Sequence, residues 1–109
     1  MDTVTGNKLN VSVTAISNTA TIYLSGHFSF GAHREFKTAY KNQLNNSMIG
    51  NLVVNLTEVS YLDSSALGML LLLREYAQAA NKSLTLSKPS AIAARTFEIA
   101  GFKTLFAIN

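Results

Sequence analysis

Two adjacent serines that follow an aspartate, Asp63-Ser64-Ser65, are the residues best suited to chemistry. They come after the apolar β-branched run at residues 52–56, which indicates a buried strand, and a helical pattern starts at Ser64. Asp and Ser are favoured N-cap residues because their side-chain oxygens accept hydrogen bonds from the free N–H groups of a first helical turn. The simplest interpretation is therefore a capped helix.

The same position also suits a covalent phosphate. A helix N-terminus carries free N–H donors and the positive end of the helix dipole, so it tolerates added negative charge. A phosphoryl group on a serine would add about two negative charges to the surface. We predict that this junction holds the functional residue, and the geometry by itself does not choose between Ser64 and Ser65.

Catalysis and metal binding have little support in the sequence. The Gly-x-Ser-x-Gly elbow of serine hydrolases is absent, and nothing places His27 or His33 beside Ser64 as a base. The chain has no cysteine, which removes thiolate ligands, cysteine nucleophiles and disulfides. We expect neither an enzyme nor a protein that needs a metal or another cofactor.

Composition narrows the class of protein. A chain of 109 residues, 48% hydrophobic and 14% charged, predicts one globular domain spanning residues 1–109. The polar residues 1–12 show no secretory signal, and the longest apolar run is far too short to cross a bilayer, so we expect a cytoplasmic protein without membrane insertion. The nine basic residues are spread along the chain, which argues against nucleic-acid binding despite the net charge of +3.

The remaining elements would position the Asp63-Ser64-Ser65 motif. Periodicity and turn residues predict strands at 9–16, 21–24, 52–56, 84–86 and 102–108, and helices from Ala32 to about 45, at 64–80, and between Ser90 and Gly101. The order β-β-α-β-α-β-α-β indicates an α/β fold: a small mixed β-sheet with helices packed against it, in which an opening hairpin adds an antiparallel strand. In residues 27–31, Phe28 and Phe30 are expected to fold back onto the core.

The helix that begins at Ser64 has a clear apolar stripe. Its predicted core positions are Ala66, Met69, Leu70, Leu73, Ala77 and Ala80. Leu67 and Leu71 fall instead among the polar residues of the opposite side. They are either part of a docking surface for a partner or covered by neighbouring loops, and the sequence does not separate these two possibilities.

These residues resemble a known family. The segment from residue 54 to residue 69, which contains Tyr61-Leu62-Asp63-Ser64-Ser65, is similar to the signature of STAS-domain anti-sigma factor antagonists. The segment from residue 61 to residue 74, taken together with residues 28–33, resembles the small HsbA-type single-domain members. Ala66 stands where the family usually has glycine, and Ser29 where many members have an acidic residue.

The resemblance implies a protein-binding switch in partner-switching systems. Ser64 would be the phosphoacceptor, modified by a serine kinase and restored by a PP2C-type phosphatase, and only the unphosphorylated form would bind an anti-sigma factor or equivalent regulator. With the two leucines of the helical projection included, the predicted partner-binding residues are Asp63, Ser64, Ser65, Leu67, Leu71 and Ser29. The oligomeric state is left open, with a monomer as the expectation.

Two other functions are weighed beside this one. The family also includes STAS domains that act as unphosphorylated subunits of transporters or other complexes. A small-molecule or nucleotide-binding module is the third possibility, although the six glycines are scattered and form no phosphate-binding loop.

Overall fold

The computed structural model describes residues 8–109. Its helices and strands are β1 (Leu9–Ile16), β2 (Thr19–Phe28), α1 (His33–Leu44), β3 (Asn51–Leu62), α2 (Ser64–Ala79), β4 (Ser83–Ser87), α3 (Ala91–Ile99) and β5 (Ala107–Ile108). The predicted order of elements is confirmed. The expectation that no secretory signal is present falls partly on residues 1–7, which lie outside the described part of the chain.

A five-stranded mixed sheet forms the framework, with the strands in the order β1-β2-β3-β4-β5. Strand β1 pairs with β2 in the antiparallel sense, and the other three pairings are parallel. The predicted hairpin is confirmed, with its turn at Ser17 and Asn18. Because the carboxyl ends of the parallel strands lie at one end of the sheet, the segments after β2 and after β3 come together there.

One face of the sheet is buried. In the first halves of β2 and β3 the buried side chains alternate, and they include Ile22 in one strand and Val54 opposite it in the other. Helix α1 packs against β1 and β2, α2 packs against β3 and β4, and α3 lies against β3. The other face remains partly open to solvent, as Tyr23 shows with 42% exposure. None of the helices within residues 8–109 has the length and apolar character needed to span a membrane.

Strands β2 and β3 are longer than predicted. The segment after residue 56 was expected to be a short polar connection, but β3 continues to Leu62. There it pairs with the second half of β2, where the register shifts twice, between Tyr23 and Ser25 and between Gly26 and His27. Such shifts interrupt the apolar–polar alternation that marks a strand in a sequence, and this is why the second half was missed.

Three other expectations were wrong. Phe30 does not fold back onto the core: it is 75% exposed at the start of a short 3₁₀ turn, whereas Phe28 is fully buried as expected. Ala80 is exposed because it is the residue at which α2 ends. The predicted last strand is mainly a turn, since Phe106 N–H donates to the carbonyl oxygen of Phe102 at 2.9 Å, and only Ala107–Ile108 pair with the sheet.

Candidate functional site

The junction between β3 and α2 consists of a single residue, Asp63, in extended conformation (φ −116°, ψ −178°). Its carboxylate Oδ1 accepts a hydrogen bond from the N–H of Ala66 at 3.0 Å. The predicted N-cap is therefore confirmed, and its acceptor is Asp63 rather than either serine. Ser64 and Ser65 follow as the first two residues of the helix.

Burial on both sides fixes how the two serines are presented. Leu62, the last residue of β3, is 7% exposed, and Ala66 in the first turn of α2 is fully buried. The three residues between these anchors run along the surface: Ser64 is exposed, whereas Asp63 and Ser65 are half-buried. Of the two serines, Ser64 is the more exposed.

Ser29 lies at the same end of the sheet, directly after β2. Phe28, the residue before it, pairs with Leu62 across the two parallel strands, and the carbonyl oxygen of Phe28 accepts a hydrogen bond from Asp63 N–H at 3.4 Å. Ser29 is half-buried, and its carbonyl oxygen accepts from Ala32 N–H at 2.9 Å, which closes the 3₁₀ turn. The fold thus brings Ser29 next to the motif although the two are far apart in the sequence.

The local electrostatics are simple. The first turn of α2 has no acidic residue of its own, and the carboxylate that caps it belongs to Asp63. The N–H groups of a first turn point out of the helix, and only one of them, that of Ala66, is bonded to the cap side chain. An anion on the Ser64 oxygen would meet free donors and the positive dipole end, which stabilise it, at the cost of repulsion from Asp63.

Within residues 8–109 neither histidine is hydrogen-bonded to Ser64 or Ser65. The His27 ring stacks on Tyr61, with ring centroids 4.9 Å apart and an interplanar angle of 24°. His33 is an exposed residue at the start of α1. Within residues 8–109, His, Asp and Glu side chains form no group of three that could hold a metal ion.

The two leucines of α2 are neither fully exposed nor fully covered. Leu67 and Leu71 are half-buried and pack against the hydrophobic core. The more exposed positions beside them are Gly68 and Leu72, which follow Ser64 at intervals of four residues and so continue from it along the outward side of the helix. At Gly68 an added Cβ would have no heavy atom within 4 Å, so the surface next to Ser64 is open.

Three exposed apolar residues at this site were not identified from the sequence as candidates. Phe30, which follows Ser29, is 75% exposed. Tyr61, two residues before Asp63, is 42% exposed, and Leu72 is 36% exposed. Their positions depend on the 3₁₀ turn and on the second half of β3. For Leu72 a signal existed, because its position on the helical projection lies between the polar and the apolar sides.

The family model described as "Mlab, STAS domain" matches residues 11–107. A STAS-domain containing protein of Pseudomonas aeruginosa (strain UCBPP-PA14) is 42% identical over 89 residues, which cover 82% of this chain and 86% of that protein.

Solved structures with the same fold are more distant in sequence. An anti-sigma factor antagonist from Mycobacterium paratuberculosis superposes with a TM-score of 0.83 at 17% identity, covering 94% of this chain and 86% of that chain. The anti-sigma factor antagonist SpoIIAA in its unphosphorylated form gives a TM-score of 0.77 at 18% identity, covering 92% and 88%. SpoIIAA of Bacillus in the phosphorylated form gives 0.70 at 18% identity, covering 94% and 91%. At these identities the likeness establishes the fold.

Proposed function

The chain belongs to the STAS domain family, and we propose that it works there as an anti-sigma factor antagonist, a binding protein without catalytic activity of its own. In this proposal the unphosphorylated chain binds an anti-sigma factor or an equivalent regulator. Phosphorylation of Ser64 by a serine kinase ends that binding, and a PP2C-type phosphatase restores it. We further propose that residues 1–109 form one domain and act in the cytoplasm.

One observation carries the proposal: Ser64 is exposed at the first position of α2, while the cap bond is made by its neighbour Asp63. A hydroxyl group in this position is free to accept a phosphoryl group without loss of the cap. The likeness to SpoIIAA, solved in unphosphorylated and phosphorylated forms, supports the idea that this fold carries such a modification.

The surroundings of Ser64 support a contact surface for a protein. Phe30 follows Ser29 in the chain, Tyr61 precedes Asp63 by two residues, and both are exposed. Gly68 and Leu72 continue from Ser64 along the outward side of α2. Exposed aromatic side chains are common anchors of protein interfaces. A phosphate in the middle of such a surface would have to be desolvated on binding and would add bulk, and both effects weaken the complex.

Mass spectrometry of the chain isolated from its own cells tests the modification. We expect a fraction of the protein to carry one phosphate, which peptide mapping places on Ser64. Ser64→Ala should remove that fraction, whereas the matched variant Ser65→Ala should keep it. A phosphate that maps to Ser65, or that persists in Ser64→Ala, contradicts the proposed site.

Affinity capture tests the switch. Ser64→Ala should retain a regulator from the native lysate and Ser64→Asp should not, because the added carboxylate mimics part of the phosphate charge. Retention of the same protein by both variants would rule out a switch at Ser64. Recovery of transporter subunits by both variants would favour the alternative that the chain is a fixed STAS subunit of such a complex.

A further inference from the structure

Strand β1 leaves one edge of the sheet open. It pairs with β2 on its inner side, and on its outer side no strand of the described part of the chain adds to it. The open edge is eight residues long, Leu9–Ile16, and its pairing with β2 has no register shift. It is therefore a regular and long edge.

The edge also lacks the usual protection. Natural edge strands are commonly blocked by a charged residue, a proline or a bulge, because unpaired N–H and C=O groups otherwise recruit another strand. None of these is present between Leu9 and Ile16. An edge of this kind is well suited to β-strand addition.

The direction of the backbone groups follows from one hydrogen bond. His27 N–H donates to the carbonyl oxygen of Lys8 at 2.9 Å, and hydrogen-bonded residues alternate along an antiparallel pair. The even-numbered residues of β1 therefore bond to β2. The odd-numbered ones direct their N–H and C=O groups outward: Leu9, Val11, Val13 and Ala15.

This strand is complementary to itself. If a second β1 runs antiparallel with Ser12 opposite its own copy, Val11 meets Val13 and Leu9 meets Ala15 of the other chain. All the outward groups of these residues then pair, giving about eight backbone hydrogen bonds. Apolar side chains meet apolar ones on the core side, and Asn10 meets Thr14 on the open side, so the pairing opposes no like charges.

The space beside the edge fits the same arrangement. Between β1 and α1 run two adjoining clefts of about 220 and 380 Å³, which share Val11 and Glu35 in their walls. Val11 and Val13 are only half-buried there, although they pack against the core. The charged side chains that line the clefts are Lys8, Arg34 and Glu35, which carry both signs and so suit contact with an identical surface.

We propose that β1 is a self-association site, through which two copies of this chain join antiparallel across a two-fold axis at Ser12 into one continuous ten-stranded sheet. The half-buried valines of the two copies then form a shared apolar seam beneath their α1 helices. This departs from the monomer expected from the sequence. It is independent of the Ser64 switch, since β1 carries none of the residues assigned to that site.

Light scattering coupled to size-exclusion chromatography on the full chain tests the proposal. We expect a mass approaching twice 11.8 kDa as concentration rises. Ser12→Lys and Ser12→Glu each place like charges opposite each other at the axis and should weaken the dimer roughly fivefold or more. An equimolar mixture of the two variants should restore it. The matched control Gln78→Lys adds the same charge to exposed α2 and should leave the dimer unchanged.

Val13→Pro gives a second test that does not depend on charge. It removes an outward N–H but none of the β1–β2 hydrogen bonds, so the variant should stay folded by circular dichroism and be monomeric. If the wild-type chain keeps the mass of a single copy up to its solubility limit, the proposal is wrong. This holds even if the edge of β1 binds an extended peptide of another protein. A Ser12→Lys variant that dimerises like the wild type, or a charge-paired mixture that stays monomeric, also overturns the proposal.

Discussion

Asp63 accepts through Oδ1 the N–H of Ala66, three residues further along the chain, at 3.0 Å. This bond caps α2 directly beside the exposed Ser64. Asp63→Ala should therefore lower the free energy of unfolding by about 1 kcal/mol, measured by urea denaturation. Asp63→Asn keeps an acceptor oxygen and should unfold close to the wild type. Equal losses in the two variants would mean that the carboxylate charge, rather than the cap bond, stabilises the helix.

Gly26 is the position in β2 where a side chain is least tolerable. Its φ is +101°, and an added Cβ would lie 2.5 Å from the carbonyl oxygen of Lys8. Gly26→Ala should destabilise the fold by about 1–3 kcal/mol, because the backbone of β1 has to move as well. Gly31→Ala is the matched control, since its Cβ would meet nothing within 4 Å, and it should change stability by no more than about 0.5 kcal/mol. Similar unfolding midpoints for both variants would contradict this account.

Local signals in the sequence predicted the framework of the site. Apolar periodicity located the helices, and the preference of Asp for the N-cap placed the start of α2 at Ser64. Ser29 was named only through the family resemblance. It lies next to Asp63 because the carboxyl ends of neighbouring parallel strands lie at the same end of a sheet. These features depend on neighbours in the chain or on the order of elements, and a sequence contains both.

Features that depend on contacts between distant segments were not predicted. The second half of β3 exists because it pairs with residues 25–28 through two shifted registers, and no periodicity in either strand records those shifts. Phe102 stacks between Phe97 and Phe106, at centroid distances of 5.2 and 4.8 Å, and this packing replaces the predicted last strand by a turn. Exposure of Phe30 likewise follows from the turn that it begins.

Tyr40 should make the stability of the fold decrease at alkaline pH. Its burial raises the pKa of the phenol, and the charge of nearby Tyr76 raises it further. The folded chain therefore holds this proton to higher pH than the unfolded chain, in which the pKa is about 10. Stability from this group is complete below about pH 10 and is lost as the pH rises above it. Tyr40→Phe should reduce this loss of stability at alkaline pH. The measurement is the urea midpoint between about pH 8 and 11, the range around the tyrosine pKa of about 10. An unchanged slope would contradict the assignment.

A substitution at Gly68 should affect the stability of the fold and the binding of a partner in opposite directions. It lies inside α2 on the exposed side that continues from Ser64, and a Cβ there would meet nothing within 4 Å. Gly68→Ala should raise the free energy of unfolding by up to about 1 kcal/mol, because alanine is the better helix former. If the regulator contacts this side of α2, the added methyl group should weaken its binding to the stabilised protein, as measured by titration calorimetry.

Asn42→Ala is the control for that experiment. It replaces an exposed residue of α1 and raises helix propensity by the same mechanism, at a position remote in sequence from the junction of β3 and α2. Its affinity for the regulator should equal that of the wild type. Undiminished binding by Gly68→Ala would contradict a contact between the regulator and this side of α2. The pair of variants thus locates the contact surface without altering the serine itself.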